Sequence, residues 1–150
     1  MRDSKPSVSG IRLPGLTPTN DSVVIGDGRQ FVVEPTGGVY TPTLTAVANV
    51  AASTAYQCQY IRLGSMVTVS GRVDVDPTLT SLITQLGISL PLASNFGAAE
   101  DCAGVAFAPG IAGQGAAVLG DATNNRAQME WFSQDVTNQA MYFSFLYEVI

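Results

Sequence analysis

Hydrophobic and polar positions alternate most clearly over residues 65–76. Val67, Val69, Gly71, Val73 and Val75 fall on one side, and Thr68, Ser70, Arg72 and Asp74 on the other. A period of two marks a half-buried antiparallel strand. The same period governs residues 141–149, where Met141, Phe143, Phe145, Tyr147 and Val149 share a face. Shorter β-rich runs predict further strands at 40–45, 56–63, 88–92, 103–108, 116–119 and 127–132, with Asn124-Asn125 as a turn. Pro42 places the first of these at a sheet edge, because proline cannot donate to a ladder. Short strands at even spacing predict an all-β fold, an antiparallel β-sandwich or jelly roll.

One segment carries a helical period instead. Leu79, Leu82, Ile83 and Leu86 stand at i, i+3, i+4 and i+7, with Asp76 as N-cap, Pro77 at the first helical position and Gly87 just past the end. The spacing predicts one short helix over about 77–86, sealing an end of the sandwich. Before the body, residues 1–20 show neither period and are broken by Pro6, Pro14 and Pro18, so an extended arm is expected. Val23-Val-Ile and Phe31-Val-Val flank Gly26-Asp27-Gly28, which predicts a β-hairpin over 22–34. Gly37-Gly38 then reads as a joint. The division expected is an anchoring arm plus hairpin over 1–38 and a β-sandwich body over 39–150.

Composition narrows the chemistry. The 150 residues include no histidine, and only 13% are charged, about half the usual share. Lys5 is the sole lysine. Catalytic triads, Cys-His dyads and His-bearing zinc sites are excluded, and an enzyme is not expected. The low charge suits a surface largely covered by other subunits. Residues 39–150 carry only Arg62, Arg72 and Arg126 against eight acidic residues, too few cations to neutralise a run of phosphates, so no nucleic-acid partner is expected. No apolar run of about 20 residues spans a membrane, and the polar, Pro-rich N-terminus does not read as a signal peptide. Cys58 and Cys102 read as free thiols of a cytosolically made protein, although spacing alone leaves a disulfide open.

Candidate sites are few. Asp74 and Asp76 share a strand face and Glu100-Asp101 lies in a loop, but nothing sets two carboxylates at the separation that glycoside cleavage needs. A carbohydrate-binding face from Trp131, Tyr142 and nearby amides is more plausible, although such residues more often serve cores and interfaces. The glycines at 110, 113, 115 and 120 fit neither phosphate-binding pattern and read as close packing of strands. Calcium is conceivable at Asp74/Asp76 or Asp121/Asn124, yet no loop has the acidic density of a dedicated site. No catalytic, cofactor or metal residue is assigned.

The order Gly38-Val-Tyr-Thr-Pro-Thr-Leu-Thr45, Tyr60-Ile-Arg-Leu-Gly-Ser-Met-Val-Thr-Val-Ser-Gly-Arg72, Ile88-Ser-Leu-Pro-Leu92 and Tyr142-Phe-Ser-Phe-Leu-Tyr-Glu148 resembles the β-sandwich modules at the ends of tailed-bacteriophage fibres and on phage heads. In these a Y-x-x-x-G-x-x-V-x-V-x-G strand pair and an I-x-L-P strand recur, and an aromatic strand closes the chain. The resemblance covers about residues 22–150, and the segment 76–87 departs from it. It implies a homotrimer that binds surfaces rather than catalyses. The absence of heptads, together with an extended arm, favours a capsid decoration (cement) protein, made in the host cytoplasm and lying on the virion surface. Its partner is then the major capsid protein, and its docking residues are Val8, Ile11, Arg12, Leu13 and Leu16 of the arm with Val24, Ile25, Phe31 and Val33 of the hairpin. The alternative is a tail- or head-fibre module that binds host surface glycan through loops carrying Asn95, Glu100, Asp101, Asn124, Asn125 and Arg126.

Overall fold

A computed structural model describes residues 23–24, 30–31 and 35–150. The chain divides into two units, Met1–Glu34 and Pro35–Ile150. In the first, β1 (Val23–Val24) pairs antiparallel with β2 (Gln30–Phe31), Val23 opposite Phe31 and Val24 opposite Gln30. That is the pairing expected of the hairpin; its turn, like the docking residues Val8, Ile11, Arg12, Leu13, Leu16, Ile25 and Val33, lies outside the described residues.

The second unit is all-β, antiparallel and sandwich-like. Its strands are β3 (Thr36–Tyr40), β4 (Leu44–Ala48), β5 (Val50–Ala55), β6 (Cys58–Leu63), β7 (Met66–Pro77), β8 (Ile83–Ile88), β9 (Cys102–Phe107), β10 (Gly115–Asp121), β11 (Arg126–Phe132) and β12 (Gln139–Glu148). They form one ten-stranded sheet in the order β3-β6-β7-β12-β9-β10-β11-β8-β4, with β5 also paired to β7. β4 and β5 are one stretch of chain interrupted at Asn49. β4 pairs with β8 at one end of the sheet and β5 pairs with β7 near its middle, so the sheet curls and closes on itself.

The predicted alternation of β7 and β12 is the core. Val67, Val69, Val73 and Val75 face inward opposite Tyr147, Phe145, Met141 and Gln139, and all of these are buried. Val118, Met129, Trp131, Leu86 and Ile88 fill the rest of the interior. Burial of one such side chain is worth about 1.5–3 kcal/mol, so the two long strands dominate the stability of the unit. Close approach sets one glycine: a Cβ on Gly104 of β9 would run into the Ser144 carbonyl and Phe145 of β12.

The expected helix over 77–86 is absent. β7 continues to Pro77, residues 78–82 form a bend, and β8 takes the remainder. Asp76 is not an N-cap; it faces Ala52 in the ladder and accepts a hydrogen bond from Asn138 Nδ2. The segment holds a period of two that competes with the helical one: Thr84, Leu86 and Ile88 are buried, while Leu79, Leu82 and Ile83 are exposed. A helix of ten residues gains little alone, whereas β8 gains partners on both edges, β11 and β4. Asn49 secures the bend, its Nδ2 donating to Leu79 O and its Oδ1 accepting from Leu79 N, both at 2.9 Å. The only helical turn among the described residues is the 3-10 turn Ala99–Asp101.

Smaller differences share this cause, that pairing rather than local composition fixes the strands. The strand expected at 40–45 is split, β3 ending at Tyr40 and β4 starting at Leu44, with a buried Pro42 between. The Gly37-Gly38 joint is part of β3, where Gly37 faces Ile61 and Gly38 lies against the Tyr60 ring. The strand expected at 88–92 ends where it was to start, at Ile88. Cys58 and Cys102 are free and buried.

Candidate interaction surfaces

The two loops singled out from the sequence meet at one rim. Asn125, at φ 50°, turns the chain between β10 and β11. Its Oδ1 accepts from Phe96 N at 2.9 Å and its Nδ2 donates to Asn95 Oδ1 at 3.4 Å. Asp101 Oδ2 accepts from Gly97 N and Ala98 N at 2.6 and 3.0 Å. Asp121 accepts from Asn124 Nδ2 and from Arg126 Nε, each at 2.8 Å. Partial burial disfavours its charge, but these donors prevail and hold its carboxyl below the ordinary range. The Arg126 guanidinium occupies the space that a Cβ on Gly87 would need. The rim is thus braced by its own polar groups, and Glu100 is the exposed charge beside it.

Two surfaces that the sequence did not disclose are exposed and apolar. The first surrounds the bend. Phe132 faces Ile83 across the β11–β8 ladder, and the two are 55% and 49% exposed. Leu82 O accepts from Ser133 N, and Leu79 O from Ser133 Oγ, which brings Leu79 (56% exposed) and Leu82 (45%) beside that pair. Of the stripe expected to seal the interior, Leu79, Leu82 and Ile83 are therefore turned outward and Leu86 alone faces the core.

The second is a shallow groove of about 490 Å³ on the outer sheet face across β6, β7, β12 and β9. Phe107 and Tyr142 face each other in the ladder, ring centroids 6.0 Å apart and planes 25° from parallel. They are 55% and 40% exposed. Ser70 and Ser144 pair in the floor, with Val105 on one flank and Gln57 and Gln59 on the other. At one end Arg72 lies over the Tyr56 ring, 4.6 Å from its centroid, and donates to both oxygens of Asp74 at 2.8 Å. Tyr56 Oη also donates to Asp74 Oδ2, at 2.9 Å. These hydrogen bonds, Arg72's foremost, hold the Asp74 carboxyl below its usual range. The pair is thus fixed and internally neutralised. Tyr142, named from the sequence as part of a carbohydrate face, does lie here. Trp131, named with it, points into the core instead.

Acid chemistry gains nothing from this arrangement. Asp74 is spent on Arg72 and Tyr56, and Asp76 on Asn138. No helix among the described residues is long and apolar enough to cross a membrane. No family model matches the chain, and no curated protein matches it.

Proposed function

We propose that the chain is a structural protein of a tailed-bacteriophage virion, a capsid decoration protein that self-associates as a trimer, protrudes from the shell through Pro35–Ile150 and docks through the preceding arm and hairpin. The observation that carries the proposal is the bend surface. Leu79, Leu82, Ile83 and Phe132 are large, apolar, adjacent and in water, on a chain whose surface is unusually poor in charge. Covering such side chains is worth about 25 cal/mol per Å² of apolar area, and clustered exposed apolar residues mark surfaces that partners cover. The resemblance of the strand motifs supports the same reading, and the major capsid protein is the partner it implies. A catalytic role draws no support from acids whose oxygens are already engaged.

The test is the copy number of this chain relative to the major capsid protein in purified particles, by quantitative mass spectrometry. Stoichiometry comparable with the shell subunits supports decoration. A few copies per particle replaces it with a fibre, and absence from particles overturns the virion assignment.

A further inference from the structure

We infer that the outer-face groove is a binding site for a neutral polysaccharide, with the Phe107–Tyr142 pair as the stacking platform. The platform is rigid, because both residues stand on central strands and face each other in register. A sugar ring presents an apolar C–H face and a rim of hydroxyls, and the groove offers a counterpart to each. The stacked rings give a flat apolar surface, as does Val105 beside them. The amides of Gln57 and Gln59 and the hydroxyls of Ser70 and Ser144 give donors and acceptors, and no hydrogen bond within the described residues occupies them. Exposed amides and hydroxyls beside an aromatic surface satisfy a polyhydroxylated ligand better than the apolar side chains of another protein subunit.

Charge fixes the class further. Asp74 binds the one cation of the groove on both carboxylate oxygens, so Arg72 offers no free charge to a uronate or phosphate. Its guanidinium carbon, 4.6 Å from the Tyr56 centroid and 5.8 Å from the Tyr142 centroid, instead packs with the aromatic rings. The groove is open and shallow, which suits a passing segment of polymer rather than an enclosed small molecule. The inference does not depend on the virion assignment, since it concerns the groove alone.

The experiment is saturation-transfer NMR on the full-length protein with maltohexaose, cellohexaose, a mannohexaose and a galactohexaose as neutral probes, and hexagalacturonate as the charged one. Transfer to at least one neutral probe is expected, with none to hexagalacturonate. Tyr142→Ala and Phe107→Ala should each weaken that binding at least tenfold, and Gln59→Ala several-fold. Phe132→Ala, at the bend, should leave it unchanged. Circular dichroism of each variant establishes that it is folded, and Tyr142→Phe, which keeps the ring, should retain most of the binding. No transfer to any neutral probe overturns the inference, as does binding that Tyr142→Ala and Phe107→Ala leave intact. Dissociation of an oligomer by Phe107→Glu, without transfer to any probe, reassigns the groove to a second copy of the chain.

Discussion

Asn49 shows how much a single side chain can hold. It adopts φ 55°, a left-handed conformation that asparagine tolerates better than most residues. Its Nδ2 reaches Leu79 O, Thr84 Oγ1 and Ser133 Oγ, and its own carbonyl accepts from Thr78 N. Asn49→Ala should therefore cost about 3 kcal/mol, from lost hydrogen bonds of about 1 kcal/mol each and from backbone strain. Asn49→Gly, which removes the strain but not the loss of the amide, should recover only part of this. Urea denaturation of the three proteins measures both effects. The titrating groups define a second outcome at this scale. Hydrogen bonding depresses Asp74, Asp121 and Asp135 in the fold, so their contribution is full above the ordinary carboxylate range near 4 and fades as pH falls through and below it. Burial raises Cys58, pushes Cys102 up to about 12 and does the same to Tyr147, so their contribution is full below about 8.5 and is lost as pH rises beyond. With no histidine, melting temperatures should form a plateau from about pH 5 to 8 and fall on both sides. A step near pH 6.5 would contradict this account.

At the scale of elements, β9 and β12 approach so closely that only glycine fits at position 104. Gly104→Ala should cost several kcal/mol, of the order seen for overpacked cores, and shift the midpoint of chemical denaturation accordingly. The strands that were legible in the sequence are those whose own side chains decide their state. β7 and β12 each bury one complete face, so their period is visible residue by residue. β5, β8 and the latter part of β4 were not legible as strands, for a different reason. The run Val50-Ala-Ala-Ser-Thr-Ala55 has little apolar contrast and is a strand because β7 supplies a ladder for it. Residues 77–86 fit two periods, and the partners β11 and β4 selected the shorter one. The groove was less legible still. Tyr142 stands out in the aromatic run of β12, but Phe107, Ser70 and Gln59 come to it from three other strands, and the register that brings them together cannot be read from spacing along the chain.

For the whole molecule, the exposed apolar surface has to be reconciled with solubility. On the proposed assembly, light scattering behind size-exclusion chromatography should give the mass of three chains. Phe132→Glu combined with Leu82→Glu should reduce it to one, because charge placed in a covered apolar surface is left unpaired. A mass unchanged by the double substitution would move the contact away from the bend. The rim at Asn95, Asn125 and Asp121 should be indifferent to assembly, since its polar groups are engaged with one another.

The position of β12 also governs the order in which the body can come into being. Residues 139–148 form the tenth strand of this sheet along the chain, yet they lie between β7 and β9 and hydrogen-bond to both. During synthesis β7 waits for its neighbour until more than sixty residues have followed it, about the span from Pro77 to Gln139. Before then β9, β10, β11 and β8 can form only a partial sheet, tied to β7 through β4 and β5 but open where β12 will join β7 to β9. Release of residues 139–148 from the ribosome is thus the event that commits the chain, and any assembly that needs the closed sheet is postponed until the nascent chain has delivered them.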